Sequence, residues 1–280
     1  MKVCVVGTGL MGGSLALDLK NKKLASHIVG VNRSFESNQW ALDHGLVDQI
    51  LPLEEAVLGV DLVVLSIPID ILNQMLPRVL DLIEPQTILI DLGSTKEGIC
   101  KLVENHPKRS SYVATHPICG TENSGPSAAI LDLYKDKICI LCETSKSNPK
   151  AVEKVEKMFK EIGSSLIYMG AKEHDLHIAY VSHLSHVSSF ALASAVLDKE
   201  KDTQNIFNMA GSGFASTVRL AKSSPQMWVP IFLNNKENLL ESIDRFTQEL
   251  SILRESIEKE NQEKLLQYLK NANQIRKFLK

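Results

Sequence analysis

Seven short apolar runs, separated by helical stretches, constrain this chain more than any other feature. The runs are Lys2–Val6, His27–Val31, Leu62–Ile67, Thr87–Asp91, Ser111–Thr115, Lys137–Leu141 and Ser165–Met169. They are mostly β-branched or leucine-rich and too short for ordinary helices. Between them, segments such as Gly12–Lys20 and Pro149–Ile162 read as helices. Strand–helix alternation predicts an α/β fold with a mainly parallel sheet covered on both faces. Lys137–Leu141 follows Leu131–Lys135 closely, and its pairing stays open. From about Lys172 the strand signals stop and long helical patterns take over. The 280 residues, at about 150 per domain, suit two domains, 1–170 and an all-α 171–280. In the second, Leu239, Ile243, Phe246, Leu250, Leu253 and Ile257 recur at spacings of 4, 3, 4, 3 and 4. Such a narrow seam suits packing within the chain or against a second copy. The small size of this half and the length of the stripe favour a homodimer.

The first strand runs into Gly7-x-Gly9-x-x-Gly12, and a helix follows. Gly7 allows the tight turn, Gly9 lets the backbone approach a pyrophosphate, and Gly12 lets helix and strand pack closely. Leu10 and Met11 open a helix whose N-terminus offers unpaired N–H groups to phosphates. In this position the pattern predicts a Rossmann-type dinucleotide site in 1–170. The second strand ends at Asn32, Arg33 and Ser34, where NAD-preferring folds place an acid. Arg33 suits a 2′-phosphate, with Ser34 donating a hydrogen bond, so NADP is expected over NAD. Ser66, Ile67 and Pro68 lie at the carboxyl edge of the sheet, as a wall for ribose and nicotinamide.

Composition narrows the function classes. Lys and Arg number 31 against 33 Asp and Glu, a net charge of −2. That balance argues against nucleic acid or an anionic membrane surface as the main partner. No apolar run approaches the length of a membrane span. The amino terminus carries no export signal, so a cytoplasmic protein is expected. The five cysteines are an odd, scattered set, as suits free thiols in a reducing compartment. Cys139 and Cys142 form C-x-x-C inside a strand, which sends them to opposite faces, so buried inert thiols are expected.

Two further strand ends carry polar groups: Asp91-Leu92-Gly93-Ser94-Thr95-Lys96, and Thr115-His116 followed by Thr121 and Glu122. A histidine at the carboxyl end of a parallel strand is well placed to take a proton near neutral pH. His174, His177, His183 and His186 make half of the eight histidines. On one regular helix His183 and His186 share a face, about 60° apart, with His174 and His177 roughly opposite. Zinc helices favour i, i+4 pairs, so no metal site is expected. By themselves, two buried histidines on an apolar stripe are satisfied core groups.

The chain resembles the prephenate/arogenate dehydrogenase family of tyrosine biosynthesis. The segments that carry the resemblance are Gly7–Ser14, Asp91–Lys96, His116–Gly125, His174-Asp175, Val181–His186, Gly211–Arg219 and Pro225–Asn238. It implies oxidative decarboxylation of prephenate to 4-hydroxyphenylpyruvate, with hydride transfer to NAD(P)+. It implies His116 as the base, with Ser94 holding His116 or the ring hydroxyl. Thr121 and Glu122 then lie at the mouth of the site, and Arg219 binds a substrate carboxylate. His183 and His186 meet the side-chain carboxylate, and His174 supports the contact between domains as part of the substrate-binding set. Some relatives carry an acid three residues before the arginine; this chain has Ser216, which puts any acid-assisted orientation of Arg219 in doubt. Arogenate is the rival substrate. A two-domain reductase of the β-hydroxyacid dehydrogenase or imine reductase type and a non-catalytic NADP-binding regulator are the alternatives. The chain ends near the end of the helical half, so no appended regulatory module is expected.

Overall fold

The computed structural model describes residues 1–278. Met1–Asn235 forms one compact unit, and the chain from Lys236 onward forms a second. The first unit is built on eight strands: β1 Lys2–Val6, β2 His27–Val31, β3 Gln49–Ile50, β4 Leu62–Leu65, β5 Ile88–Asp91, β6 Tyr112–Pro117, β7 Ile138–Cys142 and β8 Ser165–Met169. They form one sheet in the order β3-β2-β1-β4-β5-β6-β7-β8. The helices α1 Leu10–Asn21, α2 Phe35–Asp43, α3 Leu53–Ala56, α4 Ile69–Leu82, α5 Glu97–Leu102 and α6 Pro149–Glu161 lie between strands in sequence.

Alternating side chains divide the core into two layers. Val3, Val5, Val64 and Ile90 pack with Leu15, Leu19 and Phe159 of α1 and α6. Cys4, Val6, Val63 and Leu89 pack with Leu72, Leu76 and Ile99 of α4 and α5. A strand covered on both faces reads as a continuous apolar run, which is why these strands were visible in the sequence. The expected α/β plan is present, and every neighbouring pair is parallel but one. The exception is the strand left open: β7 runs antiparallel to β6, with His116 opposite Ile140 and Pro117 opposite Cys139. The polypeptide between them passes through a long loop with no crossover helix, and a parallel return needs one. Strand β3 was missed because it is two residues long. Short edge strands of this kind present little backbone for unwanted pairing.

The turn between β1 and α1 shows why two of its glycines are obligatory. Gly7 has a φ of +91°, and a Cβ there would lie 2.2 Å from the Ser66 carbonyl oxygen. A Cβ on Gly12 would lie 2.1 Å from the Gly7 carbonyl oxygen and 3.0 Å from Val5. Strand, turn and helix are thus in backbone contact, as the sequence spacing implied.

After β8 the chain continues into α7 Ala171–Ile178, a π turn at Ala179–His183, and α8 Leu184–Thr203. Short helices α9 Ser212–Thr217 and α10 Pro225–Asn234 complete the first unit. The second unit contains α11 Lys236–Glu258 and α12 Gln262–Ala272, which pack together. The Tyr268 hydroxyl donates to Glu249 across them at 2.9 Å. The predicted seam lies along α11, and its Leu250 and Ile257 are exposed. No helix among the described residues is long and apolar enough to cross a membrane. All five cysteines are buried free thiols. Burial pushes Cys4, Cys100, Cys119 and Cys142 up to about 12 and raises Cys139 well above the ordinary thiol range, as inert thiols require.

The glycine geometry makes a stability prediction. Gly12→Ala must push backbone against backbone, and overpacking of this kind costs about 1–3 kcal/mol. A Cβ at Gly9 meets nothing within 4 Å, so Gly9→Ala should stay within about 1 kcal/mol of the parent. Urea unfolding of the two variants is expected to separate them in that order.

Candidate active site

The Gly7–Gly12 turn, Ser66–Pro68, the residues after Asp91, and His116 all stand at the carboxyl edge of the parallel strands β1, β4, β5 and β6. At the glycine turn the space over Gly9 is open. No side chain caps the 12-residue helix α1 there, so its first N–H groups face outward from the turn. An open cradle at a helix N-terminus fits a pyrophosphate. Leu10 is buried, while the Met11 carbonyl accepts the Tyr134 hydroxyl at 2.7 Å and ties the helix start to the sheet's far half. Ile67 reaches Gly7 from the neighbouring strand end, and Pro68 caps α4.

At the end of β2 the structure gives Asn32 and Ser34 local duties. The Asn32 side-chain oxygen accepts the Thr8 N–H at 2.8 Å, and its amide donates to the Thr8 hydroxyl at 2.8 Å. It braces the glycine turn. The Ser34 hydroxyl accepts the Ser37 N–H at 3.2 Å and donates to the Ser37 hydroxyl at 3.0 Å. Its oxygen caps α2 by accepting that N–H, so Ser34 has a structural duty in the fold beside the one the sequence predicts. Arg33 is exposed beside them.

The strand end after β5 is organised by Asp91, which is fully buried. Its carboxylate accepts the Tyr112 hydroxyl at 2.7 Å, the Gly93 N–H at 2.9 Å and the Thr115 N–H at 3.3 Å. It also pairs with the equally buried Lys96 ammonium. Ser94 is half-buried, and its hydroxyl has no hydrogen-bond partner among the described residues. It does not bond His116, contrary to one of its two expected roles.

His116 is held by another histidine. Its Nδ1 lies 2.7 Å from His174 Nε2, and the rings meet edge to face. His174 Nδ1 lies 2.7 Å from Asp175 Oδ1. That carboxylate also accepts the Lys96 N–H at 2.7 Å and the Glu97 N–H at 2.9 Å, the start of α5. His174 was expected among the substrate-binding residues. With 0% exposure and both ring nitrogens engaged, it stands behind His116 and cannot touch a ligand. Burial and the charges nearby, chiefly His174 and then Lys96, hold His116 well below its ordinary pKa. Burial lowers His174 as well, against the pull of Asp175. Both imidazoles are therefore neutral near pH 7.

The Asp175 carbonyl accepts the Asn235 amide at 2.7 Å, and that NH2 lies 3.2 Å from His183 Nδ1. A carbonyl can only accept, so the amide orientation is determined. Its second N–H donates to His183 Nδ1, which places the His183 proton on Nε2. That buried N–H has no partner among the described residues. The buried indole N–H of Trp228, edge-on to His183, has none either. Two unsatisfied donors side by side are costly unless a ligand accepts from them. His186 stacks on the same indole at 3.5 Å, and its Nδ1 is engaged with the Ser182 carbonyl. Burial lowers His186, and nearby Arg219 lowers it further.

Regular-helix arithmetic set His174 opposite His183, and the structure corrects this. The π turn at Ala179–His183 shifts the phase of everything after it, so both histidines meet the Asp175–Asn235 link. His177 is exposed. Arg219 is 3.2 Å from Glu122, with both side chains substantially exposed. Thr121 is exposed next to that pair, its hydroxyl accepting the Asn123 N–H. Ser216 donates to the Gly213 carbonyl and makes no contribution to Arg219. Asp91, Lys96, Asp175, Trp228 and Asn235 received no role from the sequence. The available signal was an acid ending an apolar strand, and a second acid directly after a histidine.

Two family models match the chain. One is the prephenate dehydrogenase nucleotide-binding domain, over residues 15–168. The other is the prephenate dehydrogenase dimerization domain, over residues 170–271. The prephenate dehydrogenase of Bacillus subtilis is 30% identical over 98% of this chain and 75% of its own length. The cyclohexadienyl dehydrogenase of Zymomonas mobilis is 28% identical over 99% and 96%. The crystal structure of prephenate dehydrogenase from Aquifex aeolicus, in complex with hydroxyphenyl propionate and NAD+, superposes with a TM-score of 0.92. It is 32% identical, with 100% of this chain and 98% of that one covered.

The neutral histidines carry a sign-definite prediction. His183 is lowered from 6.5 to about 4, so in that window the unfolded chain binds the proton and the folded one does not. Its contribution is fully present above pH 6.5 and is lost as pH falls toward 4, by about 3 kcal/mol in all. Thermal unfolding should show Tm dropping across this range, with a shallower slope in His183→Gln. An unchanged slope would place the acid sensitivity elsewhere.

Proposed function

The chain belongs to the prephenate dehydrogenase family, and from that premise we propose that it converts prephenate to 4-hydroxyphenylpyruvate and CO2, with His116 as the base. The observation that carries this reading is the His116 ring. Its Nδ1 is engaged, it is neutral, and its Nε2 has no hydrogen bond among the described residues. A neutral imidazole at the strand edge beside the dinucleotide turn is suited to accept the proton of the C4 hydroxyl. The nicotinamide, when bound, accepts the hydride from C4. As the ring carboxylate leaves as CO2, its bonding electrons enter the ring, and the proton held on His116 Nε2 returns to the phenolate oxygen.

The remaining site residues then bind and orient a dicarboxylate. Arg219 offers a guanidinium fork to one carboxylate. Its pair with Glu122 is exposed, hence weak and readily exchanged for a substrate carboxylate. His183 Nε2–H and His186 face the side-chain carboxylate, and the Trp228 indole N–H lies among them. Ser94 stands by the ring hydroxyl, with Thr121 and Glu122 at the mouth. In this division of labour 1–170 holds the nucleotide, and 171–280 supplies substrate contacts and the homodimer seam. The exposed Leu250 and Ile257 on α11 support the seam. No carboxylate ends β2, and exposed Arg33 stands there, which supports a preference for NADP over NAD. The five free thiols suit a cytoplasmic enzyme.

Reduced cofactor formation at 340 nm, with prephenate and arogenate each tested against NAD+ and NADP+, is expected to show turnover of prephenate and a higher kcat/KM with NADP+. Turnover of arogenate alone would shift the reading to direct tyrosine formation. Absence of turnover from folded, nucleotide-binding protein would reject the catalytic role.

The two anchoring residues should fail differently. His116→Asn should lower kcat roughly 100- to 10,000-fold with nucleotide binding intact. Arg219→Ala should raise the KM for prephenate roughly 10- to 100-fold with a smaller change in kcat. Steady-state kinetics separate these outcomes.

A further inference from the structure

We propose that His174 and Asp175 are positioning residues that lock His116 in the tautomer with its proton on Nδ1 and its lone pair on Nε2. The inference rests on the assignment of His116 as the base, and goes beyond it by saying what makes that nitrogen the basic one.

The argument is one of donor counting. The Asp175 carboxylate receives two backbone N–H groups, from Lys96 and Glu97, at the first turn of α5. Both oxygens are occupied by donors, so it acts only as an acceptor. His174 Nδ1, at 2.7 Å, therefore carries a proton and donates it. His174 is fully buried and neutral, so its Nε2 holds a lone pair. His116 Nδ1, 2.7 Å away, must then be the donor. A neutral imidazole has one N–H, and His116 has spent it on His174. Its Nε2 is left basic. Without the chain behind it, a neutral imidazole distributes the proton between both nitrogens and its ring turns freely.

The charged and titratable groups around the pair are known. His116 faces His174 from α7, Lys96 from the β5–α5 connection and His183 from the π turn. His174 faces Asp175, Lys96 and Asp91. None of these alters the donor count, since the Lys96 ammonium is directed to Asp91.

The test uses the full chain labelled with 15N in its histidine rings. The His116 signal is assigned by its absence from His116→Asn. In the parent, the two-bond correlation pattern of His116 should report a proton on Nδ1. A proton on Nε2 overturns the proposal, and because no substrate is needed, this outcome is independent of whether prephenate is turned over. His174→Phe keeps the ring volume and removes the acceptor. It should shift His116 toward the Nε2–H form and lower kcat about 100-fold or more, with KM for prephenate within about threefold. His174→Gln, whose side-chain oxygen can accept from Nδ1, should recover part of that loss. A kcat for His174→Phe within threefold of the parent overturns the proposal. If His174→Phe fails to fold, the tautomer of the parent and the kcat of His174→Gln decide it. A parent-like Nδ1–H signal with His174→Gln no better than 100-fold reduced would mean that Gln cannot reproduce the lock, and would overturn acceptance at this atom as its basis.

Discussion

The carboxylate of Asp175 is a buried anion, and its surroundings are arranged around the need to satisfy it. An ionised carboxylate taken from water into the interior is tolerated only when hydrogen-bonded or paired. Here no single cation does this. Two backbone N–H groups of Lys96 and Glu97 and one imidazole share the charge. Because the donors come from the β5–α5 turn and the anion from α7, satisfying the charge docks the first helix after the sheet onto the sheet's carboxyl edge. Asn235 extends the same joint through the Asp175 carbonyl, and Thr95 adds a contact to Asn234 at 2.7 Å. Geometry at the reacting atoms follows from a contact that is first a matter of solvation.

One residue also gives two histidines opposite characters. Through its carboxylate, Asp175 orders the protons along His174 and His116. Through its carbonyl it orients the Asn235 amide, which makes His183 Nδ1 an acceptor and His183 Nε2 a donor. Burial keeps all three rings neutral. Below them, the Asp91–Lys96 pair is sealed by Tyr112 and two backbone N–H groups, and the positive end of that pair further disfavours protonating His116. The contrast is with Arg219 and Glu122, whose exposed pair is screened by water and easily exchanged. The Asp175 and Asp91 carboxylates are dry and fully bonded, and the Arg219–Glu122 pair is wet.

What could be read in the sequence follows the same division. The inner strands and the glycine turn were legible because burial on both faces imposes apolar runs, and because backbone contact at Gly7 and Gly12 admits no side chain; the largely exposed β8 was legible from its apolar composition alone. His116 was legible as a strand-end histidine. The direction of β7 was not, since a run of residues carries no sign of whether its partner is parallel. His174 carries no mark in the sequence of its buried place: a polar group near a site is assigned to the ligand, whereas here a buried carboxylate has prior claim on its hydrogen. The facing of His174 and His183 was misjudged because a π turn is set by tertiary packing, and 100° per residue does not survive it.

The closed character of the histidine chain bears on how the proton is handled. His174 has no exposed surface and no free nitrogen, and Asp175 is held as an anion by two backbone donors. A proton arriving on His116 Nε2 therefore has no path through the chain to solvent. In many dehydrogenases that would be a defect, because oxidation of an alcohol to a ketone releases a proton that must leave. Conversion of prephenate to 4-hydroxyphenylpyruvate is different: the hydroxyl present at the start is a hydroxyl again at the end, and CO2 carries off the carboxylate. No net proton is produced. A base that borrows the proton while hydride leaves, and returns it when the ring becomes aromatic, needs an orienting partner more than it needs an exit. The buried, doubly bonded His174 supplies the first and lacks the second.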